Sequence, residues 1–152
     1  MATKKRVFCD TNFLLDVFDP ERTCHIDAVA LLWYCADNPD KATVMASITS
    51  FKDAYYIMCR LYKDEPRARE SVVSLMGTFI EPVDMLARYG AEAISSGEPD
   101  FEDGLIKACA EHEHASVLIT RDEKAFSGAS VPAMSAASFL AQEGFDYDVI
   151  DW

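Results

Sequence analysis

The sequence has few basic residues and few histidines. Its 152 residues include 14 Lys and Arg against 26 Asp and Glu, so the formal net charge is −12, and histidine occurs three times. Such a chain lacks the broad basic surface on which non-specific nucleic-acid binding depends. An enzyme that holds nucleic acid through a metal and a local basic patch is still allowed, and so is a basic protein partner.

The cysteines follow no pairing pattern, and no apolar run is long. The five cysteines are scattered, with no C-x-x-C pair, which excludes an evident disulfide framework or zinc site and predicts reduced, buried thiols. No segment approaches the roughly 18 apolar residues of a membrane span. The short apolar run after Arg6 is interrupted by Asp10, so it does not read as a signal peptide. We therefore expect a cytoplasmic protein with no membrane partner.

The hydrophobic residues, which make up 50% of the chain, alternate between two spacings. Short apolar segments predict strands at about residues 7–9, 42–46, 79–81, 116–120 and 131–134. Segments with helical spacing predict helices at about residues 11–17, 24–37, 47–62, 66–76, 84–94, 100–112 and 135–142. Thr23 and Asp84 are the expected N-caps of the second and fifth helices. We expect an α/β fold, a three-layer α/β/α sandwich with a short, mainly parallel central sheet, in a single domain over residues 1–152.

Four aspartates fall at one edge of this predicted sheet. Asp10 ends the first strand, and Asp122 follows the fourth. Asp53 and Asp103 stand in the first turns of two helices. In a parallel sheet, the carboxyl ends of the strands and the amino ends of the following helices share the edge at which ligands bind. Each aspartate alone is compatible with a structural role in helix capping, but their convergence favours a functional site.

Carboxylates gathered at one edge repel each other unless something neutralises them. Two unit charges about 4 Å apart repel by roughly 4 kcal/mol at an effective dielectric of about 20, so such groups take up protons or bind a cation. Ligation by oxygen alone favours Mg²⁺ or Mn²⁺ over zinc. We expect Asp10, Asp103 and Asp122 to bind the metal and Asp53 to complete the catalytic group. Metal ions held in this way commonly serve phosphodiester hydrolysis.

No covalent nucleophile competes with this interpretation. The sequence offers no plausible Ser, Cys or His constellation for nucleophilic catalysis. Cys9 precedes Asp10 but is expected to point to the opposite face of the strand, into the core.

In order and spacing, these motifs resemble the PIN domain, a family of small metal-dependent ribonucleases that includes the VapC-type toxins of bacterial toxin–antitoxin pairs. The resemblance extends from Val7 to about Leu140 and is carried by residues 8–16, 46–57, 100–110 and 118–122. The four aspartates match the acidic positions of these segments. Small polar residues that steady the family's site are matched by Thr11, Asn12 and Thr120.

The resemblance implies a magnesium-dependent endoribonuclease that hydrolyses RNA phosphodiester bonds as the toxin of a toxin–antitoxin pair. It also implies an RNA substrate, an antitoxin protein whose tail blocks the site, and a homodimer. The densest basic run is a candidate contact for the RNA backbone, although a solvated helix face also explains it; it comprises Arg60, Lys63, Arg67 and Arg69. Asp16 and Asp19 are expected to lie beyond the site.

Two alternatives stay open at the level of sequence. Most PIN domains carry Glu where this chain has Asp53, which is shorter by one methylene, so a catalytically weak or inactive PIN-like binding module is one alternative. The other is a phosphoryl-transfer protein with an acidic site, such as an aspartyl phosphatase or a receiver domain. Asn12 counts against the phosphatase, which needs a second Asp at that position, and the paired acids of a receiver domain are not evident.

Overall fold

The fold is built around a five-stranded parallel sheet, seen in a computed structural model that describes residues 3–148 and 150. The strands are β1 (Lys5–Cys9), β2 (Ala42–Ser47), β3 (Ile80–Val83), β4 (Val117–Ile119) and β5 (Ala133–Met134). Their order is β3-β2-β1-β4-β5, and every neighbouring pair is parallel. The expected α/β fold is confirmed, with a sheet that is parallel throughout.

Seven α-helices connect and cover these strands in the described part of the chain. They are α1 (Thr11–Phe18), α2 (His25–Asp37), α3 (Ile48–Tyr62), α4 (Glu65–Leu75), α5 (Ala87–Ser95), α6 (Phe101–His112) and α7 (Ala136–Gln142). A 3₁₀ turn, Glu123–Phe126, follows β4. None of the described helices combines the length and the apolar character needed to cross a membrane.

Successive residues of the central strand point into two different cores. Val7 and Cys9 pack with α1, α2, α3, α4 and α7, whereas Phe8 packs with α5 and α6 on the other face. This alternation is the pleat of a strand that is buried on both faces. The three predicted layers are therefore present, and Cys9 is a fully buried core residue. All five cysteines are free thiols.

Most of the helices begin where the sequence predicts, but two expected caps are wrong. Cys24, not Thr23, occupies the N-cap position of α2, and no side chain caps that helix. Helix α5 begins at Ala87, three residues after Asp84. The later start follows from β3, which continues through Pro82 to Val83 because it is an edge strand, where proline is tolerated.

Candidate active site

Asp10 lies at the carboxyl end of the central strand and begins α1. Its Oδ1 accepts a hydrogen bond of 2.9 Å from the Phe13 amide, so the carboxylate is the N-cap of the helix. Its own amide donates to the carbonyl of Ile119, at the end of the adjacent β4, over 3.4 Å. Only 9% of Asp10 is exposed. The carboxylate is therefore fixed between two strand ends and largely removed from water.

This position changes the acidity of Asp10. Burial is the main cause of the rise in its pKa from 3.8 to about 6, and the charges of Asp16 and Asp103 add to it. Hydrogen bonds from the Phe13 amide and the Thr120 hydroxyl act in the opposite direction. A buried carboxylate among like charges is destabilised in its ionised form, and a nearby cation would relieve that cost.

Thr120 connects Asp10 to Asp122. Its hydroxyl donates to the Asp10 carboxylate and accepts from the Asp122 amide over 3.1 Å. Its own amide donates to the Met134 carbonyl of β5 over 3.0 Å, which fixes the backbone beyond β4. Thr120 is buried, so one buried hydroxyl contacts two of the predicted acidic residues.

Asp103 and Asp122 lie at the same edge of the sheet as Asp10. Asp103 is in the first turn of α6, and its amide donates to Oδ1 of the N-cap Asp100 over 3.1 Å. Partial burial raises the pKa of Asp103, and the charges of Asp100, Glu102 and Asp122 raise it further. Asp122 caps the 3₁₀ turn that follows β4. The charge of Asp103 acts on Asp10 and that of Asp122 acts on Asp103, so these three predicted residues lie along one edge within reach of one another's charge.

Asp53 is placed differently. Its carboxylate forms an ion pair of 2.8 Å with the neighbouring Lys52, and Lys52 also feels the charge of Glu102. None of the contacts that join Asp10, Asp103 and Asp122 involves Asp53. Its expected place in the catalytic group stays a prediction.

The three clustered aspartates do not form a closed metal cage. Within residues 3–148 and 150, no group of three or more His, Cys, Asp or Glu side chains is arranged to hold a metal ion. Mg²⁺ differs from zinc because it keeps several waters and commonly needs only one or two protein carboxylates. The all-oxygen donor set and the proximity of Asp10 to Asp103 fit an open site for such a hard cation.

The two polar residues after Asp10 each form a hydrogen bond to a different part of the chain. The Thr11 hydroxyl donates to Oε1 of Glu102 at the start of α6, over 3.3 Å. The Asn12 side-chain oxygen accepts from Nη2 of Arg22 in the α1–α2 connection, over 3.0 Å. Hydrogen bonds thus connect the first turn of α1 both to α6 and to the α1–α2 connection.

The position of Asp16 differs from the one expected from the sequence. It does not lie beyond the site: it is 3% exposed, raises the pKa of Asp10 and lines a cavity of about 150 Å³ together with Asp10 and Thr120. The signal that could have located it is helical spacing. Asn12 and Asp16 stand four residues apart in α1, so both face the same way.

Comparisons with known proteins point to one fold. Neither a protein-family model nor a curated protein matches the chain. Among solved structures, VapBC2 from Rickettsia felis, bound to a DNA fragment from its promoter, has a TM-score of 0.66 at 18% identity, covering 86% of this chain and 98% of that one. VapBC-1 from nontypeable Haemophilus influenzae has a TM-score of 0.65 at 12% identity, covering 87% and 98%. VapC20 from Mycobacterium tuberculosis, a sarcin-ricin loop cleaving toxin, has a TM-score of 0.63 at 16% identity, covering 80% and 94%.

The chain has the fold of a VapC-type PIN domain. The predicted resemblance in fold and the predicted fold class are thereby confirmed. This fold places Asp10, at the end of β1, next to the end of β4 and within reach of the charge of Asp103 in the first turn of α6. At such low identity the likeness establishes architecture alone, and the chemistry depends on the residues of this chain itself.

Proposed function

We propose that this protein is a metal-dependent endoribonuclease and the toxin of a toxin–antitoxin pair. The observation that carries the proposal is Asp10, a buried carboxylate at the centre of the sheet edge that lies close enough to Asp103 to have its pKa raised by that charge. The likeness to VapC20, which is described as cleaving the sarcin-ricin loop, supports RNA as the substrate. Hydrolysis of a phosphodiester bond at an acidic site calls for a cation, because the substrate itself is an anion.

Asp10, Asp103 and Asp122 would hold Mg²⁺ or Mn²⁺. The bound ion would supply Lewis-acid activation of water and stabilise the charge that develops on the phosphate. The protein keeps the ligands in position: Thr120 orients the carboxylate of Asp10, and the cap by Asp100 fixes the turn that carries Asp103. Asp53 would join this group after its carboxylate separates from Lys52, with which it is now paired.

A partner protein belongs to the proposal. The Rickettsia felis and Haemophilus influenzae structures are VapBC complexes, and a toxin–antitoxin complex from Klebsiella pneumoniae is also similar, with a TM-score of 0.59. We infer an antitoxin for this chain, and the net charge of −12 favours one with a basic segment. A homodimer is proposed on the family resemblance alone.

The proposal is tested by incubating the purified protein with transfer RNA and with a sarcin-ricin loop RNA, in Mg²⁺, in Mn²⁺ and in chelator. We expect cleavage that depends on the metal and is abolished by Asp10→Asn and by Asp103→Asn, while both variants remain folded. Asp19→Asn, which changes a half-buried aspartate at the C-cap of α1, is the control and should cleave normally. Absence of cleavage by the wild type in either metal, together with equal growth of cells expressing wild type and Asp10→Asn, would refute a nuclease toxin.

A non-catalytic PIN-like module is the second candidate. The Asp53–Lys52 ion pair and the lack of a closed three-ligand site in the described residues favour it. The two functions differ in their response to metal: an inactive module should gain no thermal stability from Mg²⁺ or Mn²⁺, whereas a protein that binds the ion in its folded state is stabilised by mass action.

A further inference from the structure

The α1 aspartate, Asp16, holds two arginines beside the proposed nuclease site. Its Oδ1 accepts from Nε of Arg22 over 2.7 Å, and its Oδ2 accepts from Nε of Arg121 over 3.1 Å. Nη2 of Arg121 also lies 2.9 Å from Oδ1. The Asp16 side chain is 4% exposed, whereas those of Arg22 and Arg121 are 23% and 36% exposed. A buried anion thus orients two cations that reach the surface.

Both arginines contact residues near Asp10. Arg22 donates to Asn12, two residues after Asp10. Arg121 lies between Thr120 and Asp122 in sequence and lines the same cavity as Asp10. Arg121 therefore shares a cavity with Asp10, and Arg22 is joined to the first turn of α1 that Asp10 caps.

The three charges do not cancel. One carboxylate faces two guanidinium groups, so these three side chains carry one net positive charge, while the carboxylates of Asp10 and Asp27 line the same cavity. Among the residues that the structure describes, Nη1 of Arg22 and Nη1 of Arg121 have no hydrogen-bond acceptor. A buried ion pair contributes little net stability, because desolvation offsets the attraction. Guanidinium groups in fixed orientation are well suited to bind phosphate.

We propose that Arg22, Asp16 and Arg121 form a preorganised phosphate-binding site, in which Asp16 positions the two arginines to bind the RNA backbone next to the proposed metal site. This inference rests on the proposed ribonuclease function and names the residues that hold its substrate. It places the RNA contact on Arg22 in the α1–α2 connection and on Arg121 after β4, not on the basic run of α3 and α4 that the sequence suggested. In that run, Arg69 pairs with Glu65 and Arg67 stacks on Tyr62.

The test measures binding of a fluorescent RNA, in the Asp103→Asn background so that bound RNA is not cut, over a series of salt concentrations. Arg22→Gln and Arg121→Gln are introduced singly, because each leaves Asp16 with one arginine partner and so avoids an unpaired buried charge. Each should weaken binding by about tenfold or more at low salt. Each should also reduce the slope of log K against log salt by about 0.7, the contribution of one phosphate contact in a single strand. Arg69→Gln is the matched control and should leave both quantities unchanged.

Asp16→Asn distinguishes the positioning of the two arginines by Asp16 from the effect of the Asp16 charge on RNA binding. Removal of a negative charge would by itself strengthen RNA binding, so weaker binding by Asp16→Asn is the result that supports a positioning role. Asp19→Asn, which removes a half-buried charge nearby, should not weaken binding. Thermal unfolding identifies a variant that has lost its fold, in which case the two arginine variants decide. RNA binding that is unchanged in Arg22→Gln and Arg121→Gln, or that falls equally in Arg69→Gln, overturns the inference while the nuclease proposal stands on wild-type cleavage. A wild type that neither cleaves nor binds RNA overturns both.

Discussion

The Thr120 hydroxyl donates a hydrogen bond to the Asp10 carboxylate while it accepts one from the amide of Asp122. Both acids belong to the proposed metal site, so one buried side chain contacts two of its proposed ligands. The bond to Asp10 also opposes the rise in the pKa of that group, because it stabilises the ionised form.

Thr120→Val should destabilise the protein and make Asp10 a weaker acid. The isosteric methyl group removes the acceptor of the Asp122 amide, which should cost about 0.5–1.5 kcal/mol in the free energy of unfolding because Asp122 is exposed and its amide can turn to water. The pKa of Asp10 should rise further above 6, so the pH at which Mg²⁺ begins to raise the melting temperature should increase. Chemical denaturation and melting curves across pH measure the two effects. Thr120→Ser keeps the hydroxyl and should retain wild-type pH dependence; a serine variant that behaves like valine would contradict this role.

Asp10→Asn should stabilise the metal-free protein at neutral pH. The folded-state pKa of Asp10 is raised from 3.8 to about 6, so the folded state holds the proton more tightly than the unfolded state does. Stability is therefore lost as pH rises through this interval, and above pH 6 the loss reaches about 3 kcal/mol. Asparagine stays neutral and can still cap α1. The stability difference between Asp10→Asn and wild type, measured by chemical denaturation, should be small at pH 4 and grow towards pH 7.

Metal binding should depend unequally on the predicted acidic residues. Asp103 lies among carboxylates and acts on Asp10, whereas Asp53 is paired with Lys52. Asp103→Asn should therefore remove most of the rise in melting temperature caused by Mg²⁺ or Mn²⁺, and Asp53→Asn should remove less of it. Equal losses in the two variants would show that Asp53 is a full ligand in the metal-bound protein.

The sequence predicts where the acidic residues of this site lie better than it predicts which side chains they pair with. Asp10, Asp103 and Asp122 could be placed together because parallel strands and the helices that follow them share an edge, and that rule needs only the order of elements. The partners of Asp16 could not be predicted, since Arg121 is 105 residues away and meets it only through the packing of β4 against β1. The Lys52–Asp53 pair depends on side-chain rotamers, on which periodicity carries no information. The late start of α5 depends on the pairing of an edge strand.

Gly104→Ala should displace α6 and, with it, Asp103. A Cβ atom at Gly104 would lie 2.8 Å from the Cβ of Ala93 and 3.2 Å from its Cα in the neighbouring α5, which is closer than such atoms pack. Overpacking of this kind typically costs about 1–3 kcal/mol, more than alanine gains over glycine in helix propensity. Because Asp103 precedes Gly104 in the first turn of α6, the variant should lose metal-dependent stabilisation as well as stability.

Gly90→Ala in α5 is the matched control for this helix contact. Its nearest neighbour, a ring atom of Phe101, would lie at an ordinary 3.9 Å from the new Cβ, so the substitution should be neutral or stabilise the protein by up to about 1 kcal/mol. Melting temperatures with and without Mg²⁺ measure both quantities in both variants. A Gly104→Ala protein that matches Gly90→Ala in stability and in metal response would show that α5 and α6 adjust freely, and that their close packing does not position Asp103.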